Sequence, residues 1–209
     1  MARLPVMDDL LPGYTRFRAQ QWPQQREIFE YLAAAGQRPR ALVIACSDSR
    51  CDPAAVFDAG PGELFIVRNV ANLVPPYAPD GDYHGTSAAL EFAVCQLEVP
   101  QIVVMGHAMC GGINALMNGV PNSCPDFIAP WISIAAPARA RVLACDDGTD
   151  PLRACEYETV RLSLENLRSF PWIAQRIAQG KLRLHGTLFD IRTGLLECLQ
   201  PDGSFAPAS

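Results

Sequence analysis

The first segment of the chain that could do chemistry is ACSDSRCDP, residues 45–53. It follows the apolar run ALVI and carries Cys46, Asp48 and Arg50 on alternate positions. Alternate residues of an extended chain lie on the same side, so a thiol, a carboxylate and a guanidinium would share one face. This combination offers a soft metal ligand beside an acid and a fixed cation.

The second segment is VVMGHAMCGGI, residues 103–113, in which His107 and Cys110 lie where a strand pattern gives way to a glycine-rich turn. The turn lacks the Lys-Ser/Thr pair of a P-loop and the G-x-G-x-x-G spacing, so a nucleotide site is not favoured. With Cys46 at another strand end, the segment completes a Cys₂His set. Such a set suits Zn²⁺, and three protein ligands rather than four are typical of a catalytic zinc site.

Other interpretations of these residues remain open at this point. A thiol nucleophile with His107 as its base is possible, but it leaves Cys110 and the Asp48–Arg50 pair without a role. Each residue could also be a buried structural side chain, and Asp48 with Arg50 could form only a salt bridge at the end of a strand. A purely structural zinc site would need a fourth Cys or His as a ligand.

Composition excludes several classes of protein. The 209 residues fit a single domain spanning 1–209, and the net charge of −5 without a basic run argues against nucleic-acid binding. No apolar run is long enough to span a membrane, and MARLPVMDDLL has no export signal, so we expect a cytoplasmic protein. The eight cysteines should therefore be mostly reduced thiols, with Cys95 and Cys198 as small buried hydrophobic residues.

The elements that must position the two segments alternate along the chain. Apolar runs predict strands over 41–45, 64–67, 102–105 and 182–191, with a return strand over 195–199. Helical patterns lie over 24–35, 85–99, 127–144, 154–168 and 171–179, and in the second of these the predicted buried face is Ala89, Phe92, Ala93 and Leu97. Short apolar strands that alternate with helices indicate an α/β fold with a mainly parallel sheet flanked by helices.

Four segments together resemble the β-class carbonic anhydrases: ACSDSR, GELFIVRNVANLVPP, HGTSAALEFAV and GHAMCGGI. The resemblance runs from about residue 11 to residue 199. It implies a zinc-dependent lyase that reversibly hydrates CO₂ to bicarbonate and a proton, using hydroxide that zinc makes available. It also implies N-terminal helices that pack on a partner subunit, in a homodimer, a tetramer or a larger homo-oligomer.

The resemblance assigns roles to the reactive residues. Cys46, His107 and Cys110 match the zinc ligands, and Asp48 with Arg50 match the paired acid and cation. The resemblance implies that Asp48 either accepts a hydrogen bond from the hydroxide or, in a closed state, occupies the fourth zinc position itself. Arg50 would hold the carboxylate in a bidentate grip that keeps it ionised and oriented.

The same resemblance implies the substrate pocket. Gln37 matches a glutamine that reaches the substrate from the neighbouring subunit, and Gly111 would donate its backbone N–H to a substrate oxygen. Phe65 and Val70 match the apolar wall, and Phe92 matches a pocket position that is commonly Tyr in plant members. On residue type alone, Gln37 could be a solvated loop residue and the apolar three could be core.

Departures from the family pattern concern proton transfer and regulation. Phe92 and Gln96 occupy positions where plant members commonly have Tyr and His, which leaves His84, in the turn before that helix, as a candidate proton relay. His185, within a strand, is expected to be a structural histidine with satisfied hydrogen bonds. Val43 replaces the Trp that, with the Arg matched by Arg68, binds bicarbonate in family members that bicarbonate inhibits.

Two other functions fit the same ligand set. A sister hydrolase that acts on carbonyl sulfide or carbon disulfide would differ in the shape of its pocket rather than in its motifs. A non-catalytic zinc or thiol protein is disfavoured because Asp48 and Arg50 are both present.

Overall fold

The computed structural model describes residues 6–80, 82–124, 126–145 and 148–208. The chain forms two compact units that meet between Gln37 and Arg38. The first unit consists of helices α1 (Val6–Arg16) and α2 (Trp22–Ala35), joined by a π-helical turn over Phe17–Gln21. None of the described side chains of this unit is buried. The single domain predicted over 1–209 remains a prediction.

The second unit is built on a six-stranded sheet in the order β2-β1-β3-β4-β5-β6. The strands are β1 (Ala41–Cys46), β2 (Leu64–Asn69), β3 (Gln101–His107), β4 (Arg183–Phe189), β5 (Leu196–Leu199) and β6 (Phe205–Pro207). The first four strands pair in parallel, and the last two continue the sheet antiparallel. This arrangement confirms the predicted fold class. Strand β6 was not predicted from the sequence because its pattern is only three residues long.

The helices of the second unit cover the sheet. They are α3 (Pro53–Val56), α4 (Gly85–Glu91), α5 (Gly111–Asn118), α6 (Ile128–Ile132), α7 (Ala136–Ala144), α8 (Pro151–Arg168) and α9 (Pro171–Ala178). Every residue of β1 is buried, as expected for a central strand covered on both faces. No helix in the described part of the chain is long and apolar enough to cross a bilayer.

The helix predicted over 85–99 differs from the structure in its buried face. After α4 the chain forms a π-helical turn over Phe92–Gln96, closed by the Leu97 N–H to Phe92 carbonyl bond of 3.0 Å. The wider turn displaces the following residues around the axis relative to an α-helix. Phe92, the first residue of this turn, is 46% exposed, and the buried residues of α4 and the turn are Leu90, Ala93 and Val94.

Three residues expected to be structural have other environments. Cys95 lies on the same π-helical turn and is exposed, so the prediction that it is a buried hydrophobic residue is wrong. Cys198 on β5 is half-buried. His185 lies on β4 but is exposed, so it is not a buried structural histidine.

Candidate metal centre

The topology gathers the two reactive segments at one edge of the sheet. Strands β1 and β3 are parallel neighbours, so their carboxyl ends meet at the same edge, and Cys46 and His107 are their last residues. Cys110 follows as the N-cap of α5. An open parallel sheet places its ligand site at this edge, where successive crossovers diverge.

The three candidate ligands form a compact group that is buried from solvent. The ligand atoms of Cys46, His107 and Cys110 all lie within 4.8 Å of one another. The Cys46 and Cys110 sulfur atoms are 4.0 Å apart. Two sulfur ligands of a tetrahedral zinc ion, each at about 2.3 Å, would be separated by about 3.8 Å. The spacing therefore fits one zinc ion.

The imidazole of His107 is oriented for metal binding. Its Nδ1 lies 2.9 Å from the carbonyl oxygen of Ala108, so Nδ1 carries the hydrogen and Nε2 has the free lone pair. Nε2 is buried and has no hydrogen-bond partner among the described residues. A buried nitrogen acceptor without a partner is costly, and a cation between the two sulfur atoms would satisfy it.

The two thiols are electrostatically coupled. A hydrogen bond from Cys110 lowers the pKa of Cys46 to about 4, and the same contact raises the pKa of Cys110. One proton therefore stays on the pair in the absence of a cation, and binding of zinc by both sulfur atoms must displace it.

Asp48 and Arg50 form a bidentate pair beside this group. The Arg50 Nε donates to Asp48 Oδ1 at 2.9 Å, and its Nη2 donates to Oδ2 at 2.7 Å. This contact holds the pKa of Asp48 far below its ordinary range, so the carboxylate is ionised. Asp48 Oδ2 lies 4.0 Å from His107 Nε2, which directs the carboxylate toward the ligand atoms.

A second arginine, Arg68, stabilises the turn that carries Asp48. Its guanidinium donates to the carbonyl oxygens of Cys46 and Asp48 at 2.9 Å and 2.5 Å, and to Asp52 Oδ2 at 2.9 Å. Asp52 also caps helix α3, where its Oδ1 accepts from the Ala54 N–H at 2.9 Å. Arg68 therefore holds the end of β1 and the start of α3 together.

The residues expected to contact substrate fall into two groups. Val70 and Gly111 lie close to the metal group: Gly111 begins α5, and a Cβ on the next residue, Gly112, would come within 3.0 Å of Val70 Cγ1. Phe65, in contrast, pairs with Leu42, four residues before Cys46, which corresponds to about 13 Å along the strand.

Phe92 packs against Phe65. The two rings are stacked with their centroids 5.9 Å apart. Gln37 is the last residue of the first unit, whereas the metal group lies in the second. The pocket roles of Gln37, Phe65 and Phe92 remain predictions.

Two residues at the site were not identified from the sequence. Glu156 on α8 is buried, and its Oε1 accepts the backbone N–H of Cys110 at 3.2 Å. Burial raises the pKa of this carboxyl group. Met109 has a φ of 58°, and its carbonyl oxygen accepts from Arg50 Nη2 at 3.3 Å. The sequence signal for Glu156 was its position on the inner face of α8, beside Cys155 and Thr159.

Comparison with known proteins identifies the family. The profile described as carbonic anhydrase matches residues 41–196. Beta carbonic anhydrase 3 of Arabidopsis thaliana is 37% identical, over 99% of this chain and 81% of its own length. A carbonic anhydrase of Pseudomonas aeruginosa is 38% identical, over 92% of this chain and 87% of its own length.

Solved structures agree with this assignment. The β-carbonic anhydrase CcaA superimposes with a TM-score of 0.90 at 32% identity, covering 97% of this chain and 92% of its own. A tetrameric β-carbonic anhydrase of Sordaria macrospora superimposes with a TM-score of 0.80 at 28% identity, covering 98% and 99%. The predicted family, the enzyme class and the zinc cofactor are confirmed by these matches together with the Cys46–His107–Cys110 group. The chain belongs to the β class of the carbonic anhydrase family.

Proposed function

We propose that this enzyme catalyses the reversible hydration of CO₂ to bicarbonate and a proton. The observation that carries the proposal is the bidentate Asp48–Arg50 pair, whose carboxylate is directed at the Cys₂His group. A site that only bound zinc for stability would have no use for an ionised acceptor held beside three ligands.

Each residue of the site then has a defined task. When bound, zinc makes hydroxide available near neutral pH, as it does in carbonic anhydrases that hold it through three histidines. Asp48 accepts a hydrogen bond from the attacking oxygen and so leaves a lone pair directed at the carbon of CO₂. Arg50 keeps Asp48 ionised, and the carbonyl oxygen of Met109 accepts a further hydrogen bond from the same Nη2 of Arg50.

The substrate needs an apolar wall and one hydrogen-bond donor. Val70 offers the wall beside the ligands, which suits a small nonpolar molecule. Gly111 is the first residue of α5, and the first N–H groups of a helix have no acceptor within the helix. We assign its N–H to the substrate oxygen, on which negative charge accumulates as the bond to carbon forms.

The remaining pocket residues fit a site completed by a second copy of the chain. Phe65 lies about four residues along the sheet from Cys46, and Phe92 stacks on it. The first unit also exposes apolar side chains that a partner would cover, namely Leu10, Leu11, Tyr14, Ile28 and Tyr31. We therefore assign Gln37, Phe65 and Phe92 to the partner's site, in a dimer or a larger homo-oligomer.

The activity is tested by stopped-flow CO₂ hydration, with zinc content measured on the same sample. A parallel assay follows sulfide release from carbonyl sulfide and carbon disulfide. Fast CO₂ hydration with little sulfide release is expected. Sulfide release that exceeded CO₂ hydration would identify the sister hydrolase, and a zinc-loaded protein with neither activity would refute the proposal.

The assignment of pocket residues to the partner has its own test. Gln37→Ala and Cys110→Ser subunits are mixed, and the mixed dimer is purified with two affinity tags. If Gln37 acts across the interface, one of the two sites lacks both residues and the other retains both, so the mixed dimer recovers activity. Activity no higher than that of the parent variants would place Gln37 in its own subunit's site.

A further inference from the structure

Hydration of CO₂ releases a proton, and the structure leaves one histidine available to carry it. This inference rests on the proposed function. The chain has three histidines. His107 is buried in the metal group. His185 pairs with Val103, four residues before His107 on β3, and lies away from the carboxyl edge of the sheet. His84 remains.

His84 immediately precedes α4 and forms a pair with Asp80. Its Nε2 lies 2.6 Å from Asp80 Oδ1, and its side chain is 38% exposed. The hydrogen bond with His84 holds the pKa of Asp80 below its ordinary value, so the carboxylate is ionised and can only accept. Nε2 therefore carries a hydrogen, and Nδ1 is the ring atom with a free lone pair.

His84 borders a cavity of about 700 Å³. His84 lines this cavity together with Asn69 and Val70. Asn69 is paired in register with Cys46, and the backbone N–H of Ala71 contacts the sulfur of Cys46. The cavity therefore reaches the end of β2 next to Cys46, and Val70, the proposed wall of the substrate site, lines it.

Polar groups line part of the path through the cavity. The Asn69 Nδ2 donates to Thr86 Oγ1 at 3.3 Å, which ties the first turn of α4 to the end of β2. Ser87 also lines the cavity, and the opposite wall is apolar, with Phe127 and Trp131 among its residues. The Thr86 and Ser87 hydroxyl groups give water in the cavity hydrogen-bond partners on the side next to His84.

The solvent side of His84 is acidic. Asp80, Asp82 and Glu91 line the adjoining surface groove with it. The exposed part of the ring is open to buffer molecules on this side. Imidazole is also the side chain that takes up and releases protons near neutral pH.

We propose that His84, oriented by Asp80, is the proton relay of this enzyme. After bicarbonate has left, a new water molecule enters the site, one of its O–H bonds breaks, and the proton passes through water in the cavity to Nδ1 of His84, which leaves hydroxide for the next CO₂. The ring then gives that proton to a buffer base and returns to its neutral form. No other atom or electron is exchanged.

The test separates proton transfer from the chemistry of CO₂. We expect His84→Ala to lower kcat at low buffer concentration by roughly tenfold, while kcat/KM changes less than twofold. Imidazole added to the assay should restore kcat. His185→Ala, which removes the other exposed histidine, is the matched control and should behave as wild type. An unchanged kcat at low buffer, a parallel loss of kcat/KM, or a failure of imidazole to restore the rate would overturn the relay.

A second measurement does not depend on activity. In protein labelled with ¹⁵N-histidine, the ring nitrogens of His84 should show the Nε2–H form, and Asp80→Asn should shift them toward a mixture of the two neutral forms. Resonances that do not respond to Asp80→Asn would contradict the pair. A wild-type enzyme without CO₂ hydration would refute the proposed function instead, because kcat/KM reports that reaction independently of the relay.

Discussion

The two turns that carry the metal group are held in place by different means. Side chains hold the turn after β1: Arg68 donates to two carbonyl oxygens of the turn, and Asp52 caps α3. After β3, a backbone bond, close packing and the buried Glu156 carboxylate, which accepts the Cys110 N–H, hold the turn. The Ala108 N–H donates to the Phe189 carbonyl at 2.9 Å, and a Cβ on Gly112 would come within 2.9 Å of the Ala71 Cβ.

The two turns also differ in exposure. His107 and Cys110 are 1% and 3% exposed, whereas Arg50 on the first turn is exposed and Asp48 is half-buried. A tightly packed turn can keep ligands fixed, and an open turn can present charged groups to a substrate. The second turn therefore supplies two buried ligands, whereas the first supplies the ligand Cys46 and, on its open side, the charged pair Asp48–Arg50.

The largest effect should come from removing a ligand on the second turn. Wild type should hold about one zinc per chain, and Cys110→Ser should lose most of it together with its activity. Elemental analysis of purified protein measures this directly. Cys95→Ser, which changes an exposed thiol away from the group, is the control and should keep its zinc. Full zinc content in Cys110→Ser would remove Cys110 from the ligand set.

The next largest effect should come from the bracing of the first turn. Arg68→Ala removes three charge-assisted hydrogen bonds and leaves two backbone carbonyls without this donor, which should lower the free energy of unfolding by about 3 kcal/mol. Arg40→Ala breaks an exposed ion pair with Glu63 and should cost less than about 1 kcal/mol. Urea titrations at one zinc concentration compare the two. Equal losses would show that Arg68 is an ordinary surface residue.

Asp190 follows Phe189, whose carbonyl oxygen accepts a hydrogen bond from the second turn. It should make the free energy of unfolding depend on pH. The backbone N–H of Arg192, followed by the guanidinium groups of Arg192 and Arg153, lowers the pKa of Asp190 from 3.8 to about 2. A lowered carboxyl pKa stabilises the fold above the ordinary value, and that stability is lost as the pH falls toward the folded value. The contribution is on the order of 2 kcal/mol.

The corresponding experiment compares wild type with Asp190→Asn. At pH 6 the variant should be less stable, and the difference between the two proteins should shrink as the pH falls from 3.8 toward 2. Urea unfolding at each pH gives the difference. If the difference in the free energy of unfolding stays constant over this range, the carboxylate charge of Asp190 does not stabilise the fold.

A smaller effect, confined to catalysis, should come from Asp48. Asp48→Asn keeps the shape but removes the charged acceptor, so zinc should be retained while kcat/KM falls about tenfold, equivalent to about 1.4 kcal/mol. Asp52→Asn, on the same turn, should leave kcat/KM within twofold because an amide oxygen can still cap α3. Near-normal kcat/KM in Asp48→Asn would reduce the Asp48–Arg50 pair to a salt bridge.

Much of this arrangement could be predicted from the sequence because it depends on local pattern. The apolar runs before Cys46 and His107 are strands, and parallel strands deliver their last residues to one edge. Alternate spacing placed Asp48 and Arg50 within reach of each other, and the structure shows them bonded. Membership of the family then identified the metal.

The remainder depends on contacts between distant residues, which no local pattern contains. Glu156 meets Cys110 across 46 positions, and Arg153 meets Asp190 across 37. A periodicity of 3.6 residues also does not predict the π-helical turn over Phe92–Gln96. Phe65 looked like a wall of its own site in the sequence, because only the strand register shows how far it lies from Cys46.

The smallest expected effect is inhibition of the enzyme by bicarbonate, which should depend on the contacts of Arg68 with the first turn. In the family members that bicarbonate inhibits, a Trp and an Arg help to form a second bicarbonate pocket. Here Val43 stands at the Trp position, is buried and has no side-chain donor. Arg68 stands at the Arg position, but its Nε, Nη1 and Nη2 already donate to Cys46, Asp52 and Asp48. A bicarbonate ion buried there would lack partners, which is strongly unfavourable.

Asp48 should therefore stay paired with Arg50 at neutral pH, whatever the bicarbonate concentration. The hydration rate near pH 7.5 should fall with added bicarbonate only as simple product inhibition, with a Hill coefficient of about 1. X-ray absorption of the zinc-loaded enzyme should show two sulfur ligands and no carboxylate from the protein. Val43→Trp supplies a donor but leaves Arg68 occupied, so it should not create cooperativity. Cooperative inhibition of wild type would show that the contacts of Arg68 open when bicarbonate binds, and that the first turn is less firmly braced than the second.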